Sequence, residues 1–97
     1  MNKTNDAIKI INKMMKEDPE LQEMVRESAL NAQVSQIIYD ARKEAGLTQK
    51  QLADLVGTTQ SVIARLEDAD YDGHSLSMLA RIAAALNQKV EIKISPK

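Results

Sequence analysis

An all-α fold ending in one short strand is what this 97-residue sequence predicts. Three observations predict it. Phe and Trp are absent and Tyr occurs twice, so a core has to be assembled from Ile, Leu, Val, Ala and Met, which favours packed helices over an aromatic sandwich. Apolar residues recur at three- and four-residue intervals between capping residues and glycine stops. Only Val90–Ile94 alternates strictly with period two. With 43% hydrophobic and 28% charged residues, the chain has the balance of a soluble globular protein and not of a disordered one. Its length suits one small domain, or one domain with an arm.

The first predicted helix covers 6–17, DAIKIINKMMKE. Ile8, Ile11 and Met15 fall at i, i+3 and i+7, and Ile10 and Met14 widen the apolar face. Thr4, Asn5 or Asp6 can cap it, and Pro19 ends it, because proline disfavours helical geometry in the residue before it. Asp18-Pro19-Glu20 restarts the chain as a helix, with Asp18 as N-cap and Pro19 at the first helical position, where its missing N–H costs nothing. From there to Ala45 neither proline nor glycine intervenes. Leu21, Met24, Val25 and Ser28 give one stripe; Val34, Ile37, Ile38, Ala41 and Ala45 give another. A continuous or bent helix is favoured over two helices broken near Asn31.

Gly46 follows as a left-handed stop. Thr48 caps the next helix, QKQLADLV, with Gln51 completing a capping box. Gly57 ends it, Thr58 or Thr59 starts QSVIARLED, and a polar loop, DADYDGH, follows. Ser75 opens a last helix, LSMLARIAAALN. Domain boundaries are expected at 1–31 for a helical extension, 32–88 for the central domain and 89–97 for the strand and tail.

Several classes of function fall away. There is no cysteine, hence no disulfide framework, thiol nucleophile or thiolate zinc site, and the one histidine, His74, cannot make a two-histidine metal motif. No Gly-rich phosphate loop is present, no nucleophile–base pair stands out, and no cofactor is expected, so an enzyme is disfavoured. Asp68, Asp70 and Asp72 hint at calcium, but the rest of a calcium loop is missing. No apolar run reaches the roughly 20 residues of a membrane helix. No signal peptide is evident, and a cytoplasmic location is expected.

The informative block is Thr48–Glu67, TQKQLADLVGTTQSVIARLE. Two short helices are joined by a tight turn at Gly57, which supplies a positive φ that other residues adopt only at a cost. Ala53 is small where the helices cross, and Leu52, Val56, Ile63 and Leu66 fall where the pair must bury apolar surface. This is the spacing of a helix-turn-helix, whose second helix enters the DNA major groove. Gln60 and Ser61 begin that helix, and Gln can bond bidentately to adenine N6 and N7. Arg65, one turn on, reaches guanine or phosphate. Thr48, Gln49 and Lys50 at the start of the preceding helix, and Thr59 at the N-cap, suit phosphate oxygens.

Blander roles stand beside each of these. Gln49 can merely satisfy its own helix end, and Thr59 must cap its helix with or without DNA. Gln60 and Ser61 can be solvated, Arg65 can pair with Asp68 or Glu67, and Lys50 can be a plain surface lysine. His74 reads as a solvated turn residue.

GLTQKQLADLVGTTQSVIARLE, followed by LSMLARIAAALN, resembles the Cro/CI-type (XRE) helix-turn-helix family over residues 34–88. The resemblance implies a lambda-repressor-like helical bundle, and DNA-contacting roles for Gln49, Thr59, Gln60 and Arg65. One departure stands out. The stretch Glu67–Gly73 holds four carboxylates in seven positions, where such domains commonly carry glycine and basic residues. Residues 32–97 carry eight basic and eight acidic side chains, so non-specific DNA affinity should be weak.

A domain of this type folds within about 55–65 residues, which leaves the first 30 or so as surplus. Four of the five methionines lie there. Ile8, Ile11, Met14, Met15, Leu21 and Met24 are therefore candidates for binding a partner groove, against the alternative that the arm caps its own domain. The strand faces Val90, Ile92 and Ile94 one way and Glu91 and Lys93 the other. It has no partner strand in its own chain. Pairing with a second copy gives a homodimer suited to palindromic DNA with half-sites ~34 Å apart; addition to another protein's sheet edge is the alternative.

This layout, with IIYDARKEAGLTQ and SVIARLEDADYDGHSLSMLARIAAALNQKVEIKI, is similar to the HigA-type antitoxins of type II toxin–antitoxin modules. That resemblance implies a RelE/HigB-like toxin, a ribosome-dependent mRNA interferase, as partner, and repression of a shared operon. A stand-alone phage-type regulator and a protein-interaction adaptor whose helix-turn-helix no longer binds DNA are the other expectations.

Overall fold

The computed structural model describes Lys9, Ile10, Asn12, Lys13 and residues 16–96. Of the predicted first helix, Lys9, Ile10, Asn12, Lys13, Lys16 and Glu17 are helical; the candidates Ile8, Ile11, Met14 and Met15 lie outside the described residues. Four complete helices follow: α1 (Pro19–Glu44), α2 (Gln49–Val56), α3 (Gln60–Leu66) and α4 (Leu76–Ala85). The chain divides into two units, Met1–Leu30 and Asn31–Lys97.

In the first unit, Asp18 caps α1 as its position before Pro19 predicts, its carboxylate accepting from the Leu21 amide at 3.1 Å. Arg26 bonds Glu23 and Gln22 along the exposed surface. Leu21 is half-buried, whereas Met24, Val25 and Leu30 are exposed.

In the second unit, α1 runs through without a break at Asn31. Its inward face differs from the apolar stripe the sequence predicts. Ser35, Ile38 and Arg42 are buried, Val34 and Ala41 are half-buried, and Ile37 and Ala45 are exposed. The cause is Arg42. Its guanidinium pairs with Glu67 at 2.7 and 2.9 Å, and Ser35 and Ile38, which with Arg42 stand at i, i+3 and i+7, turn inward on the same line.

Local chemistry sets the remaining elements. Thr48 and Gln51 exchange both bonds of a capping box, at 3.1 and 2.8 Å. Gly57, at φ 83°, closes α2 with its amide on the Ala53 carbonyl. Thr59 and Ser75 cap α3 and α4. Asn87, at φ 60°, takes the left-handed position after α4, a role open to asparagine. The core joins Ile38, Leu52, Ala53, Val56, Ile63, Leu66 and Ile82, and α2 packs on both α3 and α4. Ala53 is fully buried, as the close crossing requires.

The predicted C-terminal strand is corrected. No strand is present among the described residues, and 88–96 has no regular structure. Val90, Ile92 and Ile94 are 41%, 67% and 96% exposed. A strand needs another to satisfy its backbone groups, and the described residues offer none. The Lys89–Glu91 pair at 3.3 Å is too exposed to organise the segment.

Candidate nucleic-acid interface

α2 and α3 start beside one another. Gln60, the first residue of α3, donates from Nε2 to Gln49 Oε1 at 3.5 Å, and Gln49, the first residue of α2, donates from its own Nε2 to Glu67 Oε1 at 3.3 Å. Glu67 is in turn held by Arg42, whose Nη1 also donates to the Leu47 carbonyl at 2.8 Å. A chain of side chains thus runs from the interior of α1, through the C-cap of α3, to the exposed start of both helices.

The Arg42–Glu67 pair is buried, with side chains 8% and 4% exposed. The hydrogen bonds that Arg42 donates to Glu67, together with that carboxylate's negative charge, raise the Arg42 pKa against the opposing effect of burial, with a smaller contribution from Tyr39. The guanidinium also lies 5.3 Å from the centre of the Tyr39 ring, within cation–π reach.

Two apolar residues, Ile63 and Leu66, fix α3 to the core, which leaves Gln60, Ser61, Ala64 and Arg65 on its exposed side. Arg65 makes no ion pair among the described residues, so neither Asp68 nor Glu67 claims it. An open groove of about 400 Å³ adjoins Gln60 and is lined by Arg42, Lys43, Thr48, Gln49 and Lys50. Lys43 and Lys50 are exposed and carry no ion pair among the described residues. They stand beside the first amides of α2, where the free N–H groups and helix dipole also favour an anion. Of the DNA-facing candidates, Thr48, Gln49, Lys50 and Gln60 line this one groove, while Thr59 caps α3, and Ser61 and Arg65 lie further along its exposed side.

The acidic stretch is less uniform than its composition. Glu67 is turned inward as the partner of Arg42, so three carboxylates, Asp68, Asp70 and Asp72, remain exposed. Asp68 accepts from the Asp70 amide at 2.9 Å, which folds the loop locally.

His74, expected to be a solvated turn residue, is half-buried and bonded to α1 and α3. Sequence reasoning missed Arg42 as well. The one trace of them in the sequence is that Ser35 and Arg42 fall on one helical line with Ile38, and nothing local marks that line as buried.

The sequence profile of the helix-turn-helix family matches residues 38–92. Over 53 residues the chain is 45% identical to an uncharacterised HTH-type transcriptional regulator of Methanothermobacter thermautotrophicus (strain Delta H), covering 55% of this chain and 75% of that protein. No solved structure matches.

Proposed function

The chain belongs to the helix-turn-helix family, and from that premise we propose that it is a sequence-specific DNA-binding repressor of transcription. The observation that carries this role is the exposed face of α3. Gln60, Ser61 and Arg65 project from a helix whose other face is locked in the core, beside a groove lined by two exposed lysines, Lys43 and Lys50. Gln60 and Arg65 read base edges; Thr48, Gln49, Lys50 and Thr59 hold phosphate oxygens. The relative's name, a transcriptional regulator, points the same way. Titration of full-length protein against a duplex it has selected from a random pool tests the role. A selected consensus is expected, and failure to enrich any sequence overturns it.

The finer role is that of antitoxin in a type II toxin–antitoxin module, neutralising a RelE/HigB-like toxin and repressing the operon they share. It rests on the resemblance in layout, and on exposed apolar side chains such as Met24 outside the core. The extension over 1–31, with Ile8, Ile11, Met14, Met15, Leu21 and Met24, is the proposed toxin-binding segment. Val90, Ile92 and Ile94 form a ribbon with a second copy, an arrangement favoured by their exposure. A toxin is expected to co-purify from the native operon. Purification of this chain alone from cells expressing that operon would leave the stand-alone regulator as the better description.

A further inference from the structure

A seam of polar contacts at the far end of α3 has no part in the base-reading face. Ser35, midway along α1, is 1% exposed. Its hydroxyl donates to the Asp68 carbonyl at 2.8 Å, and its oxygen lies 3.1 Å from His74 Nε2. The same Nε2 is 2.8 Å from the Leu66 carbonyl oxygen. A carbonyl only accepts, and the Ser35 proton is already directed to Asp68, so the ring hydrogen belongs on Nε2. Nδ1, buried without a partner among the described residues, is then the bare nitrogen of that tautomer. Tyr71 closes the seam. Its amide donates to the Asp68 carbonyl at 3.0 Å, and its ring meets His74 edge-on with centroids 5.1 Å apart. Gly73 lies so close beneath that ring that a Cβ there would run into it.

Leu66 and Asp68 flank Glu67, the C-cap of α3. α3 has only seven residues; a helix this short does not hold its own shape, and its last carbonyls have no partners within it. The Arg42 ion pair tethers that end through one side chain. Ser35 and His74 hold the backbone on either side of the tether, which opposes rotation about it.

We propose that Ser35 and His74 are positioning residues for DNA discrimination: they fix the direction in which α3 presents Gln60 and Arg65. The assignment rests on the DNA-binding role above. Bidentate contacts to base edges need tight geometry, whereas phosphate contacts through long lysine and glutamine side chains tolerate a pivoting helix. Loosening the seam therefore lowers preference for the selected sequence and spares general DNA affinity.

The test uses the full chain, the duplex selected by the wild type, and a shuffled duplex of equal composition. His74→Phe keeps a ring against Tyr71 and removes the donor; His74→Gln returns an N–H near the position of Nε2. The ratio of the two affinities is expected to fall about five- to tenfold in His74→Phe, the equivalent of one hydrogen bond or slightly more. Affinity for the shuffled duplex and its salt dependence should stay unchanged, and His74→Gln should recover most of the ratio. Ser35→Ala should lower the ratio too, and its effect should not multiply fully with that of His74→Phe, since the two residues share a contact. Amide exchange at Ile63–Glu67 should quicken relative to Leu52 and Ala53. Should His74→Phe not fold, Ser35→Ala carries the same comparison. An unchanged ratio in a folded variant, or equal losses on both duplexes, overturns the assignment and leaves DNA binding standing. A wild type that selects no duplex overturns both.

Discussion

Gln60 keeps its place through a neighbour. Its bond to Gln49 is long, at 3.5 Å, and uses one amide hydrogen, leaving the other hydrogen and Oε1 free for an adenine edge. Gln60→Ala and Arg65→Ala should each cost about 1–3 kcal/mol on the selected duplex and little on a shuffled one, as measured by gel-shift titration. Equal binding of the selected duplex by both variants and wild type would remove α3 from the interface. Residues that act within their own turn of chain were legible in the sequence. Thr48, Gln51, Thr59 and Gly57 declare a cap or a stop by type and spacing alone. Arg42 and His74 were not legible, because Arg42 is held by a partner 25 residues away and His74 reaches α1 through one 39 residues away. Periodicity marks a buried position by its apolarity, and a buried polar group satisfied at long range leaves no such mark.

Pairs of elements show the same division. The α2–turn–α3 unit followed from the sequence because its apolar positions, its small crossing residue and its positive-φ glycine all fall within one short stretch. Gly57→Ala would place a Cβ only 3.7 Å from the Arg81 guanidinium, an ordinary contact. The cost is then conformational, about 1–2 kcal/mol in chemical denaturation. The rotation of α1 onto Arg42 depends on Glu67, a residue outside α1, so the periodicity of α1 alone does not carry it. Removing one partner of this buried pair strands the other: Glu67→Ala should destabilise by about 3–5 kcal/mol, whereas Arg42→Met/Glu67→Leu should come close to wild type or exceed it. A large loss in the double variant would mean that the carboxylate's bond to Gln49 matters more than the ion pair. Because the Arg42 pKa is raised, its stabilising effect is complete below the ordinary guanidinium range and is lost only as pH climbs through the raised value. Melting between about pH 7 and 10 should therefore show no loss from this group. The C-terminal segment carries a clear period of two in sequence and no strand in structure, because alternation expresses a preference for pairing and not the presence of a pair.

Charge decides the behaviour of the whole molecule. Residues 32–97 hold eight basic and eight acidic side chains, and Arg42 and Glu67 cancel one another inside the fold. The cations placed against phosphate at the proposed interface are Lys43 and Lys50. Each phosphate neutralised contributes about 0.9 to the slope of log affinity against log salt, so one copy should give a slope of magnitude about 2, and two copies on a palindrome about 4. The slope thus counts copies on the DNA. Ile92→Lys places a like charge on both halves of the proposed ribbon. It should shift the protein to monomers in light scattering and halve the slope on the selected duplex, without altering the melting of the core, because Ile92 is already 67% exposed in the single chain. A halved slope with unchanged mass would instead place the second copy's contact elsewhere on the chain. An unchanged slope and mass together would show that the alternating segment serves neither dimerisation nor DNA binding, and would leave a partner's sheet edge as the surface it is patterned to meet.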